Sequence, residues 1–181
     1  IANAPLISEH YELHIRHTRD NASHLPFLTT LHVGDWLTIQ VPMGDCFVQR
    51  LHRDKPILFF AAGTGFAPIK AMIEDLFAVH DPRRLKLFWG ARSLQDLYLH
   101  ETVLQWEKTL AHFKYVPHVS ETSQLSLVDT VLLQHALDIN DWQVVLSGPF
   151  DMVCQARDVL LVQGALAHNL FSDAFVTKGV S

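Results

Sequence analysis

The apolar run Ile57–Ala62 breaks into Gly63-Thr64-Gly65-Phe66-Ala67-Pro68, and that succession can bring backbone to an anion. Gly63 and Gly65 let the main chain turn tightly and approach a ligand with no Cβ in the way. Pro68 suits the first turn of a following helix, where its missing N–H costs nothing. The free N–H groups and dipole of such a helix favour a negative group such as a pyrophosphate. A tight strand–helix turn with no ligand is an equal reading of a bare G-x-G. Pro68 stands where a G-x-G-x-x-G fingerprint has its last glycine, and no Lys-Ser/Thr follows as in a P-loop.

Two further turns have the same character. Phe88-Trp89-Gly90-Ala91-Arg92-Ser93 and Val145-Leu146-Ser147-Gly148-Pro149-Phe150 each end an apolar run. In open α/β sheets ligands bind outside the carboxyl ends of the strands, so three such turns can line one crevice. Arg92 suits a phosphate or ribose there, or a solvated turn. The twelve histidines and two cysteines fall in no metal-ligand spacing, so no metal site is expected. Ser147 has no recognisable triad around it, which argues against hydrolase chemistry. Cys154 falls within a predicted helix and suits packing, whereas Cys46 follows a glycine turn and has the better prospect of exposure.

Two kinds of element must position these turns. Residues 1–52 read as β structure, with Tyr11, Leu13 and Ile15 alternating against Glu12, His14 and Arg16. A turn at Arg19 to Ser23 and a short helix reaching Leu31 follow, then strands Trp36 to Val41 and Cys46 to Val48 separated by the turn Pro42-Met43-Gly44-Asp45. From Ile57 apolar strands alternate with helices: strands 57–62, 85–89, 115–119 and 143–146, helices 68–79, 101–111, 126–135 and 150–164. That rhythm signals a parallel sheet covered on both faces. The expected fold is therefore an α/β domain over 56–181, a five-stranded parallel sheet with helices on both faces, preceded by a partial antiparallel β-barrel over 1–52.

Composition excludes several classes. With 181 residues, 49% hydrophobic and 18% charged, the chain is neither disordered nor low-complexity. A net charge of −5 with scattered basic residues argues against a nucleic-acid binder. No apolar run approaches the ~20 residues of a membrane helix. With no signal peptide at its start, the chain is expected in a reducing cytoplasm.

Taken in order, these phrases resemble the ferredoxin–NADP⁺ reductase superfamily, most closely its bacterial NAD(P)H:flavin reductase branch, across essentially the whole chain. Ile1-Ala2-Asn3-Ala4-Pro5 is similar to the end of the flavin phrase Arg-x-Tyr/Phe-Ser-Ile/Met-Ala-Asn/Ser. Leu13-His14-Ile15-Arg16 resembles the strand along the flavin, and Ala22-Ser23 the site of the flavin phosphate. Gly34-Asp35 and Pro42 to Asp45 resemble the stretch that closes the barrel. Gly63 to Pro68 is similar to the pyridine-nucleotide pyrophosphate loop, and Phe88 to Arg92 with Asp96-Leu97-Tyr98 to the ribose-side motif. Ser147 to Val153 resembles the nicotinamide motif Cys-Gly-Pro-x-x-Met, with Ser147 in place of the cysteine. Phe171 to Phe175 resembles the ending of the flavin-reductase branch.

The resemblance implies an oxidoreductase moving hydride from NAD(P)H to a flavin, either free riboflavin, FMN or FAD or a bound FMN or FAD. Gly63, Thr64, Gly65, Phe66, Ala67 and Pro68 would serve the pyrophosphate. Ala91 and Arg92 would serve the ribose, and Ser147, Gly148, Pro149 and Met152 the nicotinamide end. Ala2, Asn3, His14, Ile15, Arg16, Ser23 and Phe175 would remain as flavin contacts. The Arg and Ser of the flavin phrase correspond to positions before Ile1, so the barrel is expected to lack its first strands. Two alternatives stay open: a reductase component feeding an iron–sulfur domain or oxygenase, and a non-catalytic nucleotide-binding fragment. Both NADH and NADPH fit these motifs.

Overall fold

The computed structural model describes residues 1–5, 9–16, 28, 30–39 and 44–175. Its centre is a five-stranded, all-parallel sheet: β1 (Ile57–Ala62), β2 (Leu85–Ala91), β3 (Phe113–Val119), β4 (Gln143–Ser147) and β5 (Leu170–Phe171), in the order β3-β2-β1-β4-β5. Four strands lie where the apolar runs predict them. The fifth is two residues long, too short to leave a periodic signal.

Continuous apolarity in β1 follows from burial on both sides. Ile57, Phe59 and Ala61 pack with Ile69, Ile73 and Leu76 of α1 (Phe66–Ala78) and Val103 of α2 (His100–Thr109). Leu58, Phe60 and Ala62 pack on the other face, with Val131 of α3 (Leu127–His135) and Val153 and Leu160 of α4 (Phe150–Val162). Each fully buried Leu, Ile or Phe contributes about 1.5–3 kcal/mol relative to exposure. The helix starts are chemically marked. The Asp129 N–H donates to the Ser126 hydroxyl oxygen (3.2 Å) and the Ser126 N–H to the Asp129 carboxylate (3.2 Å), a capping box that begins α3. Helix α1 starts two residues before Pro68, which still leaves the proline in its first turn.

The described residues among the first fifty differ from expectation in local detail. Among the described residues, 11–16 are assigned to no strand, and their alternation is reversed: Tyr11, Leu13 and Ile15 are exposed, while Glu12 and His14 turn inward. The reason is electrostatic. Lys70 on α1, with its side chain only 8% exposed, places its ammonium 3.0 Å from Glu12 and 2.8 Å from Glu74, and donates to the Ala2 carbonyl (2.8 Å). Among the described residues, 36–39 join no ladder, and Trp36 is 99% exposed. Instead of a strand, Cys46 to Val48 leads into a 3-10 turn, Val48–Arg50. The short helix before Leu31, and the strand ends at His17, Gln40 and Val41, fall outside the described residues.

His135 carries a pH dependence. Its ring is buried between Trp142 and Phe88 (centroids 4.8 and 6.0 Å away). Burial pushes its pKa below the usual value, although Asp138 lies 2.9 Å from Nδ1. His118 is shifted down by burial in the same way. Between the lowered folded pKa and the unfolded value near ~6.5 the unfolded chain binds more protons. Stability is therefore full above about pH 6.5 and declines as pH falls below it. The urea midpoint is expected to be lower at about pH 5.5 than at about pH 7.5, and His135→Phe to flatten that difference. An unchanged slope in that variant contradicts the assignment.

Candidate functional site

The chain leaves β1 toward β2 and β3, then crosses back to add β4 on the other side of β1. The helices after β1 and β4 consequently run to opposite faces of the sheet, α1 covering one and α4 the other. Such a switch point opens a crevice at the carboxyl ends of the strands. A cavity of about 780 Å³ lies there. Of the sequence-predicted residues, Gly63, Thr64, Gly65, Pro68, Ala91, Arg92, Ser147, Gly148, Pro149 and Met152 all line it, as does Arg16.

Backbone contact between the two loops builds its floor. Gly63 has φ +54°, a left-handed conformation that glycine adopts without penalty. A Cβ on Gly65 would overlap the Ser147 carbonyl, and one on Gly148 would lie 2.8 Å from the Ala62 Cβ. The indole N–H of Trp89 donates to the Gly63 carbonyl (3.0 Å), and Trp89 stacks on Phe66 at 3.9 Å. Phe66 and Ala67 are buried in the core and do not line the cavity. Phe66 supports the loop from below.

The far lip comes from β2 and β3. The ladder continues past the strands, the Ser120 N–H donating to the Ala91 carbonyl (3.0 Å) and the Glu121 N–H to the Arg92 carbonyl (3.1 Å). Arg92 Nε lies 2.9 Å from the Glu121 carboxylate. His118, Ser120, Ser126 and Asp96 also line this side. The sequence reading passed over His118 and Ser120, although the strand-end rule that selected Arg92 and Ser147 applies equally to the end of β3.

A smaller cavity of about 330 Å³ adjoins it, lined by His14, Ile15, Arg16, Gly63, Thr64 and Tyr98, among others. His14 Nδ1 lies 2.7 Å from the Tyr98 hydroxyl and Nε2 lies 2.6 Å from Glu12. The His14 hydrogen bond and the Lys70 ammonium hold the Glu12 carboxyl below its usual range, against burial. Burial, reinforced by Glu12, pushes the Tyr98 phenol up to about 12. Ala2 and Asn3 are buried away from both cavities, the Asn3 side chain being taken up by the His10 carbonyl and the Glu12 N–H. Ser23 lies outside the described residues. Phe175 lines neither cavity and sits beneath Arg157, whose guanidinium lies 5.3 Å from the ring centroid.

On the other side of Ser147 and Gly148 lies a third cavity, about 310 Å³, bordered by Cys46, Met72 and Asp173. Asp173 accepts from the Asp45 and Cys46 N–H groups (2.9 and 2.8 Å). Burial, then the charges of Asp173 and Asp45, pushes the Cys46 thiol up to about 12. Cys46 is accordingly a packed thiol rather than a reactive one. Among the described residues no three His, Cys, Asp or Glu side chains gather as for a metal ion, and no helix is long and apolar enough to cross a membrane.

Comparison with known proteins agrees with this geometry. Residues 59–158 match the family model described as the oxidoreductase NAD-binding domain. The chain is 31% identical over 184 residues to the reductase component 1 of terephthalate 1,2-dioxygenase from Comamonas sp, covering 98% of this chain and 54% of that protein. It is 26% identical to the NAD(P)H-flavin reductase of Vibrio harveyi, covering 97% of this chain and 78% of that one. The CS-b5R domains of human Ncb5or, in the NAD⁺ form, share the fold with a TM-score of 0.67 at 19% identity, over 82% of this chain and 44% of that one. The chain thus spans about half the length of the dioxygenase reductase it matches. A glycine-floored crevice at the switch point of a parallel sheet, the family match and these likenesses lead to one conclusion: the chain belongs to the oxidoreductase NAD-binding domain family.

Proposed function

We propose that this chain binds NAD(P)H in the large cavity and serves hydride transfer from it to a flavin. The observation that carries the reading is the floor of that cavity, where the Gly63–Gly65 turn and Ser147–Gly148 meet backbone to backbone. Nothing but main chain and small side chains separates a ligand from the start of α1 there. The helix end favours the pyrophosphate. Ser147, bordering the large cavity and the third one, is positioned to hydrogen-bond the nicotinamide end.

His14, Ile15, Arg16 and Tyr98 form a concave patch beside the same loop, and an aromatic ring with a guanidinium suits a flat, partly anionic group. A flavin, when bound, supplies the hydride-accepting ring and the capacity to pass electrons onward. The chain's own residues hold both ends and exclude water; hydride transfer asks for no general acid or base. The 31% identity to a dioxygenase reductase component favours a second reading of the acceptor, in which electrons pass to an iron–sulfur or oxygenase partner. A nicotinamide donor and two free thiols suit a cytoplasmic setting.

The test is NADH and NADPH oxidation by the purified chain with riboflavin, FMN or FAD. Flavin-dependent oxidation is expected. Nucleotide binding with no turnover on any flavin would leave a binding module, and no nucleotide binding would overturn the reading.

A further inference from the structure

Given dinucleotide binding in the large cavity, a reading on which the inference rests, the order of the strands fixes how the ligand must lie. With the pyrophosphate over the Gly63–Gly65 turn after β1 and the reactive end at Ser147 after β4, the nucleoside end extends the other way, past β2 to β3. Neighbouring strands are about 4.8 Å apart, so the two steps from β1 to β3 match the reach of a nucleoside. Its ribose then meets the lip made by Arg92, Asp96 and Ser120.

That lip is not the electropositive pocket a phosphate monoester asks for. The guanidinium of Arg92 is paired through one edge, its Nε lying 2.9 Å from Glu121 Oε1. The two residues are also tied through the backbone, the Glu121 N–H donating to the Arg92 carbonyl (3.1 Å). Asp96 lies on the same lip. Hydrogen bonds from Ser93, with smaller help from Arg16 and Arg92, keep it ionised. Two carboxylates thus accompany Arg92. His118, which lines the β3 side, has its protonation disfavoured by burial.

We infer that the Arg92–Glu121 pair selects a dinucleotide with a free 2′-hydroxyl over one with a 2′-phosphate, so that NADH is used in preference to NADPH. A 2′-phosphate brought to Arg92 meets Glu121 and Asp96 as like charges, and only the Nη groups that Glu121 leaves can pair with it. A hydroxyl donates to a carboxylate with no such repulsion. Arg92 is 77% and Glu121 49% exposed at the side chain, so the pair contributes little to folding stability. Its consequence lies in choosing between ligands, where like-charge juxtaposition counts.

The experiment compares 5′-AMP with 2′,5′-ADP, which differ only by the 2′-phosphate, by calorimetric titration of the whole chain. Unaltered protein is expected to bind 5′-AMP more tightly, by roughly tenfold. Glu121→Gln releases Arg92 and is expected to improve 2′,5′-ADP relative to 5′-AMP by roughly three- to tenfold, with the same change in the NADPH to NADH ratio of kcat/KM. Adding Arg92→Ala to Glu121→Gln should remove that gain. Equal or tighter binding of 2′,5′-ADP by the unaltered chain overturns the inference alone, as does an unmoved ratio in Glu121→Gln. Failure of both nucleotides to bind overturns the nucleotide reading and this inference with it.

Discussion

Gly65→Ala is expected to lower dinucleotide affinity by at least about tenfold and global stability by about 1–3 kcal/mol, the usual cost of forcing atoms into a packed position. The backbone of Gly65 is ordinary right-handed helix, φ −58° and ψ −13°, so alanine is conformationally at ease there. The damage comes from the added carbon alone, which has no room beside the Ser147 carbonyl and the Gly148 N–H. The loops after β1 and β4 must then separate, and the cavity floor separates with them. Gly63→Ala supplies the contrast. Its φ of +54° penalises alanine by roughly 1–2 kcal/mol, but a Cβ there meets nothing within 4 Å. Thermal unfolding with nucleotide titration should show stability lost in both variants and the larger affinity loss in Gly65→Ala. The reverse order would contradict the close approach of the two loops.

Lys70→Met is expected to release the N-terminal segment from the α/β half. The ammonium serves Glu12, Glu74 and the Ala2 carbonyl together. Burial opposes its charge, and the hydrogen bonds with Glu74 and Glu12 outweigh that opposition, holding its pKa above the usual lysine value. Methionine fills the volume but leaves Glu12 and Glu74 without their cation. Glu74 is largely buried and Glu12 about a third exposed. Removing one partner of a buried pair costs about 3–5 kcal/mol, and the exposure of Glu12 brings the expectation to about 2–3 kcal/mol. With Glu12 loosened, His14 loses its orientation and Arg16 its place at the cavity. Limited proteolysis should cut within residues 9–16 of the variant under conditions that spare the unaltered chain. Glu12→Gln added to Lys70→Met should cost less than the sum of the two single changes. Strict additivity would show that the two side chains act independently.

The α/β half was legible because its signals are local and agree with one another. Continuous runs such as Ile57–Ala62 admit one reading once helices flank them, and Ser126 with Asp129 marks a helix start by chemistry alone. Most of the cavity followed from the same logic, since turns at strand ends gather wherever a parallel sheet reverses its order. His118 and Ser120 stood at the end of β3 without a glycine to draw attention to them. The first fifty residues were less legible because alternation gives a period and not a side. Tyr11, Leu13 and Ile15 read as an inward face until Lys70, far along the chain, turns Glu12 inward instead. Asn3 is likewise held by long-range partners, its amide meeting the His10 carbonyl and the Glu12 N–H. Long-range polar contacts of this kind have no sequence period to betray them.

The central claim is that one switch-point cavity binds the dinucleotide. Its most direct test is an NADH titration followed by amide resonances of the isotope-labelled chain. The account predicts saturable shifts concentrated at Gly63 to Phe66, Ala91 to Ser93, His118 to Ser126 and Ser147 to Gly148, with the edge strand Leu170–Phe171 little moved. Saturable shifts that avoid the Gly63 and Ser147 turns, or none at all, would contradict it.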